Sequence, residues 1–233
     1  MADILVCCNR KGPPVSEGGP IQSIDVLNLF HSCSRSLFKF LKLEGQMKKS
    51  AVKNQIDRKK FEEVFKKQGY KDYKWINPKD IVVAQWARMK CVFGCKNYGK
   101  CGTCPPNTPS VAEVKEFVRE YRTCAVFRFT KKVARPEDRF AWTRKVNSKL
   151  VNLEREVFLS GYYKAFLLFM DSCNLCASCP GIRQLCKNPK MSRPTPESMA
   201  MDVFATVRKI GYPIEVLYDY KQEMNRYAFL FIE

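Results

Sequence analysis

The stretch Cys173 to Cys186, CNLCASCPGIRQLC, constrains this chain more than any other. Three cysteines recur at every third position, Cys173, Cys176 and Cys179, and Cys186 follows seven residues later with Pro189 three positions beyond it. A tight C-x-x-C-x-x-C loop can turn three thiolates toward three corners of one cubane, while the more distant cysteine closes the fourth corner. Four thiolates also satisfy a closed tetrahedral zinc site, although such sites more often join two separated C-x-x-C knuckles. The spacing favours iron–sulfur ligation and keeps zinc as the alternative.

A second group, CVFGCKNYGKCGTCPP, supplies Cys91, Cys95, Cys101 and Cys104 as candidate ligands of another centre. Its spacing matches no common zinc ribbon, though four thiolates could still hold zinc. The C-x-x-x-C opening is shared with radical S-adenosylmethionine enzymes, whose third ligand would fall three residues after Cys95. Tyr98 stands there, and that chemistry is set aside. Gly94, Gly99 and Gly102 permit sharp turns around a centre, and Pro105-Pro106 stiffens the exit. Cys124 lies in the apolar run TCAVFRFT and reads as a small buried hydrophobe rather than a ligand.

A chain of 233 residues can bury a core without covalent staples. Its twelve cysteines, with no secretory leader pattern, point to thiols kept in a reducing cytoplasm. No apolar run approaches membrane-spanning length, so no membrane association is expected. The formal charge of +18 is concentrated in residues 47–233, where 36 Lys and Arg face 19 Asp and Glu. Clustered basic residues can serve a nucleic-acid surface. Here Lys90, Lys96 and Lys100 crowd one cysteine group and Arg183, Lys187 and Lys190 the other, so neutralisation of anionic metal centres is the favoured reading.

Residues 1–46 differ from the rest. A Gly/Pro-rich loop precedes one amphipathic helix with Leu27, Phe30, Leu37 and Leu41 on a face, and Met47 has the look of a natural start. We therefore expect an atypical extension, accessory or not native, over 1–46, and a cysteine-rich α+β domain over 47–233. Cys7, Cys8, His31 and Cys33 in the extension are not assigned as ligands.

Within the domain, helices are expected over 57–68, over 110–121 with a Ser110/Glu113 capping box, over 137–160 with Phe140, Leu150, Leu153 and Val157 inward, and after Thr195. Strands are expected at YKWI, DIVVAQW, TCAVFRFT, YYKAFLLFM, PIEVLYD and RYAFLFI, with the fourth in the middle of the sheet and the last two paired. The architecture is a mixed sheet with packed helices and two cysteine-rich metal-binding loops hung from strand ends.

In that order, KCVFGCKNYGK…CPP, ER…FLSGYYKA, CNLCASC…C and RPTPESMAMDVFATVRKIGYPIEVL resemble the predicted metal-binding proteins called domain of unknown function 2284, over most of residues 57–232. The resemblance implies that Cys91, Cys95 and Cys104 form the first metal motif and Cys173, Cys176, Cys179 and Cys186 the second. It also implies a setting in archaea and anaerobic bacteria, but no reaction. Cys101 departs from the family pattern, which usually has another residue there. If Cys101 stays out, three thiolates leave one iron open to a small ligand.

With no GxGxxG, phosphate loop, serine elbow or acid–base pair, the thiols are the evident chemical equipment. The leading expectation is a cytosolic protein with one or two [4Fe-4S] clusters, transferring electrons to or from a redox protein partner in an anaerobe. The alternatives are an enzyme using an open-site cluster and a zinc-stabilised module that binds nucleic acid or protein.

Overall fold

Two strands of this chain read as unbroken apolar runs, and the computed structural model gives the reason: both faces of its sheet are covered. It describes residues 58–219 and 221–233; the extension over 1–46 lies outside the described residues. The strands are β1 (Tyr73–Ile76), β2 (Cys124–Lys131), β3 (Phe166–Leu168) and β4 (Met224–Phe231), in the order β1-β2-β4-β3. Every pairing is antiparallel, where the sequence suggested a mixed sheet. The α+β class stands.

Alternate residues of β2 and β4 enter two separate cores. Cys124, Val126, Tyr227, Phe229 and Phe231 face one, and Ala125, Phe127, Ala228, Leu230 and Ile232 face the other. The first core is closed by α3 (Val111–Arg119) and α5 (Val203–Lys209). The second is closed by α1 (Arg58–Lys67) and α4 (Pro136–Leu159). Phe61 and Phe65 of α1 are buried one turn apart, as the helical spacing predicted, and each contributes about 2–3 kcal/mol through burial. Cys124 is fully buried in the first core, as its apolar context suggested.

Helix boundaries follow the local chemistry. Ser110 accepts from the Glu113 amide while the Glu113 carboxylate accepts from the Ser110 amide, so the expected capping box opens α3. Gly69 at φ +86° and Gly161 at φ +100° end α1 and α4. Leu150, Leu153 and Val157 are buried, but Phe140 is 39% exposed because the inward stripe of α4 near its start is polar, with Thr143 and Asn147 both buried.

Three expected elements differ. DIVVAQW is not a strand: Val83 makes one bridge to Met201, and α2 (Gln85–Gly94) begins at once. The expected helix after Thr195 stops after one turn, because Ala200 adopts φ +57°, and a new cap at Asp202 starts α5. PIEVLYD forms no strand; the Tyr227 hydroxyl donates to the Pro213 carbonyl and holds that segment instead. β4 therefore pairs with β2 and β3, and YYKAFLLFM contributes an edge strand rather than a central one. Among the described residues no helix is long and apolar enough to cross a membrane.

Candidate metal centre

The first cysteine group is built on α2 rather than on a strand. Cys91 lies in its last turn and Cys95 at its C-terminal cap, one turn apart at the same helix end. Arg88, about one-third of the way along α2, donates to Thr108 Oγ1 and to the Pro109 carbonyl, both at 2.7 Å, and so ties the helix to the far end of the loop. Between them the chain turns through Cys101 and Cys104, with the Cys104 amide donating to the Cys101 carbonyl at 3.0 Å and the Gly99 amide to the Pro105 carbonyl at 3.0 Å. Cys101 is buried, Cys91 and Cys104 are half-buried, and Cys95 is exposed.

The second group leaves β3 through Phe169 to Ser172, and α4 cradles it. Arg139 pairs with Asp171 at 3.0 Å, and Arg144 donates to the Asn174 carbonyl at 2.7 Å. Asn174 in turn donates to Thr143 Oγ1 and to the Phe140 carbonyl, both at 2.8 Å. Further along α4, Glu154 accepts from Arg193 through both carboxylate oxygens and from the Leu167 amide at 2.9 Å. Thr143, Asn147 and Glu154 share one face of α4, and this buried polar stripe anchors both ends of the 171–193 segment. Sequence reasoning missed it, although polar residues at i, i+4 and i+11 on an otherwise apolar face are the readable signal.

The two loops interlock. The Gly102 amide donates to the Cys179 sulfur at 3.4 Å, and the Cys101 thiol lies 3.7 Å from the Cys173 carbonyl oxygen. Asn107 closes the join: its side-chain amide donates to the Cys101 carbonyl at 3.3 Å and the Gly181 carbonyl at 2.8 Å, and its oxygen accepts from the Arg183 amide at 3.2 Å. A Cβ on Gly102 would stand 3.2 Å from the Ile182 carbonyl oxygen, and one on Gly181 2.9 Å from that of Gly99. These glycines therefore admit the opposing backbone, a use beyond the tight turns their spacing suggested. Asn107 carries no motif and was not foreseen.

Cys101 stands where the groups meet. The Cys104 thiol hydrogen-bonded to it, assisted by Thr103 and Cys179, lowers the Cys101 thiol to about 5 against the opposing effect of burial. The same contact, with burial, drives Cys104 well up. Burial pushes Cys173 up to about 11 and also raises Cys91, which Arg88 partly offsets. Two sulfurs of the second group accept from side-chain or backbone N–H: Cys179 from Gly102, and Cys176 from Asn188 Nδ2 at 3.0 Å. Cys186 lies 3.5 Å from Ser192 Oγ, which Arg183 also holds.

All eight candidate cysteines are free thiols. Among the described residues no three His, Cys, Asp or Glu side chains close on a single ion. The donor set nevertheless fits a thiolate-ligated group: every donor is sulfur, the two loops are fixed to one another, and amide hydrogens point at sulfur as thiolate ligands require. Cys91, Cys95 and Cys104, but not Cys101, line a cavity of about 260 Å³. A larger cavity of about 470 Å³, walled by Gly102, Phe117, Phe166 and Pro194 among others, carries no thiol.

A family model described as predicted metal-binding protein (DUF2284) matches residues 74–232. No curated protein and no solved structure matches the chain.

Proposed function

The chain belongs to the DUF2284 family of predicted metal-binding proteins, and from that premise we propose that it is an iron–sulfur protein of electron transfer. In this reading Cys173, Cys176, Cys179 and Cys186 hold one cluster, and Cys91, Cys95 and Cys104 hold a second. The observation that carries it is the interlock: the Gly102 amide on the Cys179 sulfur and the Gly181 Cα against the Gly99 carbonyl bind the two thiol loops into one body. A metal that only staples a fold needs one loop, whereas two adjoining thiolate sets suit a group that passes an electron to its neighbour. Bound clusters would supply the one-electron capacity.

The chain's own residues hold and tune. Gly102 and Asn188 donate to sulfur, which favours the more negative state of a thiolate-bound group. Arg139, Arg144 and Arg193 anchor the second loop on α4, so the ligands keep their spacing when charge changes. The surplus of Lys and Arg suits an acidic redox partner, and a reducing, anaerobic cytoplasm suits free thiols.

Anaerobic analysis of iron and acid-labile sulfide tests the proposal. About eight irons per chain are expected for two cubanes and about four for one. A colourless, iron-free but folded protein rejects it, and stoichiometric zinc replaces iron with a structural metal. The cavity beside Cys91, Cys95 and Cys104 favours a second reading, in which the first cluster keeps an open position for a small molecule. Cys101→Ser then retains its iron and still binds exogenous ligands.

A further inference from the structure

The apolar face of α2 points away from the core. Trp86, Met89 and Phe93 recur at i, i+3 and i+7, so they share one face, and all three are exposed, Phe93 at 84%. Ala87 is the one buried residue of α2, and Arg88 ties the helix to the body. A surface helix ordinarily shows the opposite pattern, with its large apolar side chains inward. The stripe runs about 10 Å along the axis. It stops two residues short of Cys95, the exposed thiol of the first trio.

The charge around this stripe has one sign. From Ile81 to Ala112 the chain carries four basic residues and no Asp or Glu. Lys90 shares the face of the stripe, and Lys96 and Lys100 follow in the loop. All three are exposed, and none forms an ion pair with a described residue. Two acids, Asp171 and Glu197, line the cavity of the trio, and each is matched there: Asp171 by Arg139 at 3.0 Å, and Glu197 by the neighbouring charge of Arg226. The lysines are left to a partner.

An apolar centre of Trp, Met and Phe with a charged rim is the composition of a protein interface. Single-stranded nucleic acid stacks successive bases on aromatic rings. Here Met89, which has no ring, separates Trp86 from Phe93, and the stripe leads to a thiol that a nucleic acid does not use. We propose that the Trp86, Met89 and Phe93 face of α2 docks an acidic one-electron carrier protein, whose carboxylates meet Lys90, Lys96 and Lys100 and whose apolar contact seats it beside Cys95. That the partner is a redox carrier rests on the electron-transfer reading above, whereas the surface needs only the exposed stripe and its lysines. The lysines speed encounter, and the buried rings slow release.

Isothermal titration of the full-length, anaerobically purified chain with an acidic [2Fe–2S] ferredoxin, and with a basic cytochrome c as the charge control, tests the surface. Ferredoxin should bind and cytochrome c should not, and the affinity should fall about tenfold or more as salt rises from about 0.05 to about 0.5 M. Trp86→Ala and Phe93→Ala should each weaken ferredoxin about tenfold to thirtyfold with iron content and circular dichroism unchanged. Lys90→Glu should weaken it and flatten the salt dependence. Phe158→Ala, at an exposed ring on α4, should change nothing. Absence of ferredoxin binding at low salt, equal binding of cytochrome c, or full binding by Trp86→Ala and Phe93→Ala each overturns the proposal. So does sedimentation that shows the native chain self-associating through these two rings, which gives the face to a second copy, or tighter binding of an oligouridylate through Trp86 than of ferredoxin. An iron-free chain that still binds ferredoxin through Trp86 and Phe93 removes the electron-transfer reading and leaves the docking surface standing. An iron-loaded chain that binds none does the reverse.

Discussion

The Gly102 amide reaches the Cys179 sulfur at 3.4 Å across 77 residues of sequence. That single hydrogen bond exists because neither Gly102 nor Gly181 has a side chain: the backbones of the two cysteine loops pass where a Cβ would otherwise stand. Metal chemistry at one loop is therefore coupled to the geometry of the other, and substitutions at the join should be felt by both thiol sets.

Gly181→Ala is the sharpest probe of that join. The new Cβ would meet the Gly99 carbonyl oxygen at 2.9 Å, and the residue sits at φ +80°, where an L side chain is strained. We expect a loss of about 2–3 kcal/mol in urea denaturation and reduced iron content in the anaerobic protein. Gly69→Ala is the control. It also has positive φ, +86°, but open space around it, so about 1 kcal/mol is expected with iron unchanged.

Much of the frame was legible because it is local. The Ser110/Glu113 box, the Phe61 and Phe65 pair and the apolar runs of β2 and β4 each announce themselves within a few residues. What the sequence concealed depends on distant partners. Ile81, Val82 and Val83 favour extended backbone, yet the chain has only Ala200 to Asp202 to pair with before α2 begins. Thr195 does cap a turn, through reciprocal bonds with Ser198, but Ala200 at φ +57° ends it and Asp202 restarts the helix. At the site, cysteine spacing marked the eight thiols. Asn107, Arg139 and Arg226 lie in no motif, and only the fold brings them beside those thiols.

The Arg193–Glu154 pair should behave as a buried anchor rather than a surface ion pair. Glu154 is 5% exposed and also accepts from the Leu167 amide, so removing its charge strands a guanidinium and weakens the hold on an edge strand. Glu154→Leu is expected to cost about 3–5 kcal/mol, measured by chemical denaturation. Replacing both partners, as in Glu154→Leu with Arg193→Met, should recover part of that loss, because no unpaired charge remains.

The metal-free chain should show a stability maximum near pH 9. Cys101 is held down to about 5, below its ordinary value of 9.0, so the unfolded chain binds the extra proton between those values and stability falls as pH drops from 9 to 5. Cys173 is pushed up to about 11, so the folded chain keeps the proton longer and stability falls as pH rises from 9 to 11. Urea midpoints against pH trace both limbs. Cys101→Ala should flatten the acid limb and also shrink the alkaline one, because Cys101 contributes to raising both Cys104 and Cys173.

Cys124 and Cys176 separate a cysteine that packs from one expected to bind. Cys124 is fully buried in the core shared by Val126 and Phe229, and burial raises its thiol well above the ordinary range. Cys124→Ser places a hydroxyl in that apolar setting, for an expected loss of about 1–3 kcal/mol with iron content unchanged. Cys176 is half-buried, and its sulfur already accepts from Asn188 at 3.0 Å. Cys176→Ser should leave the fold nearly as stable in the absence of metal but cut iron by about half when two clusters are present. Iron analysis and denaturation on the same two variants therefore read opposite responses, and an iron loss in Cys124→Ser equal to that in Cys176→Ser would mean that iron content follows fold stability rather than ligation.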